Sequence, residues 1–415
     1  MSNKNGVPTE SYKGVRDFYP EQQFVQNYIT DTMSMVAESF GYTEYSASVL
    51  EPSELYRGKT SDEIVNEQTY NFKDRGEREV TLRPEMTPTV ARMLAAKRRE
   101  LMLPLRWYSI PNVFRYERPQ KGRLREHWQL NADIFGVGGL DGEVEIIALA
   151  SEIMRAFGAE DSDFEIRVSD RGLLESVFDE LNLKDGERAG VMRLLDRKDK
   201  IDDFSKKLEG LIGDKAAKLS ELLGRASSSK NLEELVRRLE GLGVTNVVIN
   251  TAIVRGFDYY TGIVFEVYDT GGENTRSLFG GGRYDNLLSI FDEEPLSAVG
   301  FGMGDVTMKD FLETYNLMPE YESNTDLYLC TLDKDVVDFS TRLARELRSV
   351  GLNVEVDASS KKVGDQVKLA SKKSIPYVIC IGEEEIKSEK FKLKNLETGE
   401  EKEVSKGDIA SAIWS

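Results

Sequence analysis

Phe114-Arg115-Tyr116-Glu117-Arg118-Pro119-Gln120-Lys121-Gly122-Arg123-Leu124-Arg125-Glu126-His127-Trp128-Gln129 is the stretch on which the reading of this chain turns. A strand-like run, Arg106 to Phe114, leads into it, and a second, Gln129 to Val137, leads out. Five Arg and Lys residues lie between them around one Pro and one Gly. The pattern predicts a long β-hairpin loop that presents cations to polyanionic groups. Arg115 and Glu117, two apart where strand meets loop, face the same way. The planar Arg fork suits a phosphate, and a Glu beside it can accept from an amino group or help hold a metal. Taken alone, such a charge run is more often a solvated hairpin.

The flanks sharpen this. In the return strand Gln129, Asn131 and Asp133 alternate with Leu130, Ala132 and Ile134, which puts the polar set on one face. That face either lines a pocket for a small polar ligand or meets solvent. Upstream, Thr87-Pro88 reads as an N-cap with Pro at the first helical position, before a helix over Thr89 to Arg99. Arg83 and Glu85 precede it on a turn from which side chains can enter a cleft or pair with each other. Phe24, Tyr28, Thr32, Val36 and Phe40 predict an amphipathic helix over Glu21 to Phe40, stopped by Gly41. Tyr42 to Leu50 reads as a strand broken at Glu51-Pro52.

Downstream, a helix is expected over Asp141 to Gly158 and a strand over Phe164 to Val168. Leu181 to Gly243 has helical spacing and no strong strand, with Arg225 to Lys230 as an internal linker. Strands Val247 to Val254 and Ile263 to Tyr268 flank Arg255-Gly-Phe-Asp-Tyr-Tyr-Thr-Gly262, a segment that suggests a bulge or close ligand approach. Gly280 to Asp285 reads as a glycine-rich turn. Gly300 to Gly304 leads into a helix over Val306 to Thr314, whose N-terminus could face a phosphate or carboxylate. After a linker at Leu317 to Asn324 comes a separate α/β unit. Its strands are Leu327 to Leu332, Val354 to Val356 and Tyr377 to Ile381, with a Lys-rich helix over Lys361 to Lys373 and a mostly parallel sheet.

The bulk numbers bound the function. A chain of 415 residues implies two or three domains. A net charge of −18 argues against a generic nucleic-acid coat, though not against a local basic surface on an acidic body. The two cysteines, Cys330 and Cys380, lie in apolar strand-like runs, so a disulfide framework or zinc site is not expected and a reducing compartment fits. With His127 as the single histidine, a His-based metal site is not available. No apolar run reaches membrane-spanning length and the N-terminus lacks a signal-peptide core, so the expectation is a cytoplasmic protein.

Together these stretches resemble class II aminoacyl-tRNA synthetases, and specifically the histidyl-tRNA synthetase family, over almost the whole chain. Lys13-Gly-Val-Arg-Asp-Phe-Tyr-Pro20 resembles the family's opening signature, and Glu51-Pro52 the end of the dimer-forming motif 1. Phe114 to Gln129 resembles motif 2. Arg255-Gly-Phe-Asp-Tyr-Tyr260 and Gly281-Gly-Arg-Tyr-Asp285 resemble the two histidine-specific segments. The resemblance implies an α+β fold with an antiparallel-sheet catalytic core over 1–180 and 246–318. It also implies a helical insertion over 181–245 and a C-terminal α/β anticodon-binding domain over 325–415.

It further implies a homodimer that uses ATP and Mg²⁺ to join L-histidine to tRNA-His through histidyl-adenylate. Arg115 and Arg255 would be the catalytic cations. Glu85, Thr87 and Gln129 would hold the α-ammonium. Asp133 and Tyr260 would bind the imidazole nitrogens, with Tyr259 and Tyr284 in the same pocket. Arg115, Glu117, Arg123 and His127 would bind ATP, and Arg118 and Gln120 would read the tRNA. The pattern departs in two places: Thr307 stands where motif 3 usually has an Arg stacked on adenine, and Asp133 stands where many members have Glu. Arg276 or Lys309 could supply the missing cation. Alternative readings are a regulatory paralogue of the kind that serves ATP phosphoribosyltransferase, favoured by Thr307, or an RNA-binding module with a degenerate pocket.

Overall fold

The structure, a computed structural model, describes residues 7, 9–57, 68–196, 201, 203–225, 228–251, 253, 259–272, 274, 276–359 and 361–414. It divides into two compact units, Met1–Met318 and Pro319–Ser415.

The first unit is built on a nine-stranded sheet among its described residues. Its centre is antiparallel. Glu126–Phe135 pairs with Leu105–Ser109 on one side and Ala298–Gly304 on the other. Ser277–Arg283, Ile263–Asp269 and Phe164–Asp170 follow in order. The two outermost strands, Thr43–Glu44 and Val247–Ile249, pair in parallel. Asn112–Phe114 pairs with the start of the long strand and makes the motif 2 hairpin.

One face is covered by helices Pro20–Ser39, Asp141–Ala156 and Asp305–Thr314. Ile29, Met33 and Val36 of the first meet Ile146, Ile147 and Ile153 of the second and Met308 and Phe311 of the third in one core. Each such side chain removed from water contributes about 1.5–3 kcal/mol. Leu130, Ala132 and Ile134 point into this core, whereas Asn131 and Asp133 are buried on the opposite face. The period-two reading of this strand therefore resolves in favour of a pocket. On that opposite face helix Thr87–Lys97 packs Val90, Ala91 and Leu94 against Tyr259, Tyr260 and Tyr284.

Several sequence expectations are corrected. Tyr42 to Leu50 is not one strand: Thr43–Glu44 joins the main sheet, while Leu50–Pro52 joins a separate three-stranded sheet with Tyr70–Lys73 and Glu79–Leu82. The crossing between them is held by the buried Arg83, whose guanidinium donates to Ala47 O, Ser48 O and Asn112 O. Thr87 is the first helical residue, with Met86 at the cap position and no side-chain cap bond. Gly280 to Gly282 form no turn but the middle of strand Ser277–Arg283. Glycine is needed there because the next strand comes so close: a Cβ on Gly281 would lie 2.0 Å from Gly300 O.

The helical stretch divides between two cores. Helices Arg171–Glu180, Asp185–Asp196, Phe204–Ile212 and Lys215–Arg225 enclose their own cluster of Leu174, Phe178, Val191, Leu208 and Leu219. Helix Lys230–Gly241, capped by Ser229 at Leu232 N, sends Leu232, Leu235 and Leu239 into the main core instead. The second unit has a five-stranded sheet in which Val354–Val356, Leu327–Thr331 and Tyr377–Ile381 are parallel. Lys390–Asn395 and Glu401–Ser405 extend it antiparallel, so it is less parallel than expected. No helix among the described residues is long and apolar enough to cross a membrane.

Candidate active site

Two pockets adjoin on the sheet face opposite the three helices. The first, about 100 Å³, is bounded by Glu85 and Thr87 from the helix start, Gln129, Asn131 and Asp133 from the long strand, and Tyr259, Tyr260 and Tyr284. All seven residues expected to bind the amino acid line it. Its floor is bare backbone at Gly300 and Gly302, which lie beside the polar row in the neighbouring strand. A Cβ on Gly300 would come within 1.9 Å of Asp133 Oδ1, and one on Gly302 within 2.4 Å of Gln129 Nε2. The sequence showed these glycines only as the approach to a helix, because their reason lies across the strand pair.

The pocket's polar groups are tied to each other. Tyr284 OH donates a hydrogen bond to Asp133 Oδ1. Tyr259 OH donates to Glu85 Oε2 at 3.3 Å. Gln129 Nε2 donates to Asn131 Oδ1 at 2.7 Å, and Asn131 Nδ2 to Gln129 O at 3.0 Å. Asn131, not assigned a role from sequence, is thus part of the wall. Burial pushes the Asp133 carboxyl up to about 7, against the lowering effect of the Tyr284 bond. The Tyr259 ring lies 4.9 Å from Tyr260 and 5.8 Å from Tyr284, centroid to centroid.

The second pocket, about 200 Å³, is bounded by Arg115, Glu117, Arg123 and His127, by Ser277 to Phe279, and by Gly304, Val306 and Thr307 at the start of helix Asp305–Thr314. All four residues expected to bind ATP line it. Arg115, Gln129 and Gly302 line both pockets. Arg115 Nε is anchored on Pro84 O at 2.9 Å, and its terminal nitrogens have no partner among the described residues. Glu117 accepts from Arg123 Nη1 at 2.9 Å. Burial, then the charges of Arg115 and Arg16, push the His127 ring down to about 3, so it is neutral at ordinary pH.

Behind His127 stands a pair the sequence did not suggest. Arg16 Nη2 meets the buried Asp305 Oδ2 at 2.6 Å, and Asp305 Oδ1 accepts from Trp128 N at 3.0 Å. The opening signature is thereby tied to the motif 2 strand and to the helix beyond it. Gly14, at φ +87°, passes under the hairpin loop, where a Cβ would lie 2.8 Å from Arg125 Cγ. At the loop tip Gln120 and Arg123 exchange backbone bonds around Lys121-Gly122. Arg118 and Gln120 are exposed there.

The remaining expectations fall outside this picture. Arg255 lies outside the described residues. Thr307 donates to Leu278 O at 2.8 Å and Gly304 O at 3.1 Å and brings no charge to the pocket. Neither Arg276 nor Lys309 lines the second pocket; Lys309 pairs with Glu313 at 3.5 Å. Among the described residues no group of three or more His, Cys, Asp or Glu is arranged to hold a metal ion.

A largely antiparallel sheet with helices behind it, a buried polar pocket, and a cationic pocket under a long hairpin together define a class II aminoacyl-tRNA synthetase core. Comparison with known proteins agrees. The family model described as histidyl-tRNA synthetase matches residues 14–305, and one described as an anticodon-binding domain matches residues 326–414. The chain belongs to the histidyl-tRNA synthetase family. It is 44% identical to a histidine–tRNA ligase of Leptospira biflexa, over 94% of each chain. It is 38% identical to one from Thermoplasma volcanium, over 96% of this chain and 97% of that one. The fold is also that of the histidyl-tRNA synthetase crystal structure from Nostoc sp. PCC 7120, with a TM-score of 0.81 at 24% identity over 99% of both chains.

Proposed function

We infer that this chain is a histidine–tRNA ligase that forms histidyl-adenylate and pyrophosphate from L-histidine and ATP, then passes the histidyl group to the 3′ end of tRNA-His. One observation carries the reading: a single anchored arginine, Arg115, lines both a buried polar pocket of amino-acid size and a cationic pocket. Adenylate formation needs that arrangement, because the carboxylate of one ligand must attack the α-phosphate of the other. Both are anions. A fixed guanidinium between them offsets their repulsion and stabilises the charge that develops on the phosphoryl oxygens.

In the first pocket Glu85, Thr87 and Gln129 offer oxygens to an α-ammonium. Asp133 gives specificity. Its Oδ1 is occupied by Tyr284, and its Oδ2 has no hydrogen-bond partner among the described residues. A carboxyl poised near 7 sits close to the imidazole range, so Oδ2 can accept from a ring N–H at neutral pH. With Tyr260 offering a hydroxyl to the other nitrogen, side chains lacking both groups leave buried polar atoms unpaired. In the second pocket Arg123 and the neutral His127 ring suit phosphate and purine. Glu117 is the carboxylate among its described lining residues, a fitting oxygen donor for Mg²⁺. The ion would arrive with ATP and offset phosphate charge. Arg255 is the second catalytic cation in this reading, Arg118 and Gln120 meet the tRNA from the exposed loop, and the enzyme works as a cytoplasmic homodimer.

The test is ATP–pyrophosphate exchange with each amino acid in turn. Exchange with histidine alone is expected. No exchange with any amino acid, in protein that still binds histidine, would replace the ligase with the regulatory paralogue that Thr307 favours.

A further inference from the structure

The two cysteines lie fifty residues apart in the chain, yet the second unit's sheet makes them direct neighbours. Cys330 of strand Leu327–Thr331 and Cys380 of strand Tyr377–Ile381 are register partners in a parallel pair. Partners in register project their side chains to the same face. The packing agrees: Leu327, Leu329, Ile379 and Ile381 face one core, while Tyr328, Cys330, Val378 and Cys380 face the other, beneath helix Val363–Lys372. Both thiols are free, Cys330 fully buried and Cys380 partly exposed. Neighbouring strands run roughly 4.8 Å apart, inside the roughly 4.4–6.8 Å Cα window of disulfides.

We propose that Cys330 and Cys380 form a dithiol site that a hydroperoxide converts to a disulfide. The two sulfurs have distinct roles. Cys380 is the one solvent reaches. The neighbouring Cys330 thiol, helped by Lys394, lowers the Cys380 thiol from its ordinary range, while Cys380 and burial raise that of Cys330. The Cys380 thiolate attacks the peroxide oxygen; the O–O bond breaks, the departing oxygen takes a proton, and Cys380 becomes a sulfenic acid. The Cys330 sulfur then attacks the Cys380 sulfur, the S–O bond breaks, and hydroxide leaves with the Cys330 proton as water. Two thiols and ROOH give one disulfide, ROH and H₂O, with two electrons passing from sulfur to oxygen. Directly opposed strands hold Cβ atoms slightly further apart than a relaxed disulfide does, so the bond is readily reduced again.

The full chain, treated with hydrogen peroxide, denatured, alkylated and weighed, should lose two hydrogens, escape alkylation at both cysteines, and regain both thiols with dithiothreitol. Two alkylated cysteines, added oxygen at Cys380 with Cys330 still reactive, or a disulfide between chains would each overturn the assignment. Cys330→Ser should leave Cys380 as a sulfenic acid that dimedone captures; no adduct would remove Cys380 as the attacking sulfur and overturn the mechanism. Both readouts are masses, independent of aminoacylation, so they stand or fall apart from the ligase reading.

Discussion

The two adjoining pockets solve opposite problems. The first pocket is internally committed: Tyr284 holds Asp133, Tyr259 holds Glu85, and Gln129 holds Asn131. Its floor is backbone, and a single methyl at Gly300 would fill the space Asp133 needs. The second pocket is larger, five of its lining residues come from the hairpin loop, and within it Arg123 engages Glu117. Selecting one small side chain demands groups fixed before binding, since each buried polar atom left unpaired costs about 1–3 kcal/mol. Holding a triphosphate demands charges that can be redirected, and a solvent-facing loop supplies them at little cost in buried surface.

Arg115 is where the comparison can be broken most decisively, because it lines both pockets. Arg115→Ala should lower histidine-dependent pyrophosphate exchange about a thousandfold, as loss of a fixed donor to developing charge does. The fold should be unaffected, since the guanidinium's one internal bond is to Pro84 O. A variant with normal kcat and a raised KM for ATP alone would confine Arg115 to the second pocket and separate the two sites.

Asp133→Asn sharpens the claim that the first pocket is fixed in advance at the expense of stability. The folded-state carboxyl titrates near 7, above its ordinary value of 3.8, so the folded protein holds a proton there that the unfolded chain has lost. The penalty is absent below about pH 4 and grows as pH rises, becoming complete above the folded pKa, where the buried group must ionise. The amide carries no such penalty and still accepts from Tyr284. Asp133→Asn should therefore be roughly 2–4 kcal/mol more stable at pH 8 and unchanged near pH 4, by denaturant titration. Its KM for histidine should rise at least about tenfold, the worth of one charged hydrogen bond. Equal stability at both pH values would mean the carboxyl is not desolvated.

What the sequence disclosed depended on whether the cause of each feature was local. The alternation of Gln129, Asn131 and Asp133 with Leu130, Ala132 and Ile134 follows from strand geometry, and every one of those side chains lies where period two puts it. The cations of the hairpin were equally legible. The run Gly280 to Gly282 signals a turn locally, whereas its cause lies in the strands on either side, Gly300 and Phe301 against Gly281 and Ile263 and Val264 against Gly282. The spacing of Leu232, Leu235 and Leu239 marked a helix but not which core would receive it. The Arg16–Asp305 pair and the Cys330–Cys380 register join residues far apart in the chain, and no local pattern announces either.

Thr307 offers the smallest effect and the finest division between the pockets. The motif 2 loop tip rests on this part of the helix: a Cβ on Gly122 would lie 3.7 Å from the Thr307 methyl and 3.8 Å from Asp310 Oδ2, and Lys121 is close enough to oppose the upward shift that burial gives the Asp310 carboxyl. Thr307→Arg would add a cation beside the purine, worth about 0.5–2 kcal/mol over an aromatic face. It would also crowd the loop tip. If the pocket lacks only a stacking cation, KM for ATP should fall about two- to thirtyfold in pyrophosphate exchange, with KM for histidine unchanged. If the docked loop itself closes the nucleotide site, the bulkier side chain should raise KM for ATP instead. The first pocket serves as the internal control, because residue 307 lines only the second. A change in KM for histidine of similar size would show that the loop couples the two pockets, and that their difference in rigidity is one of degree.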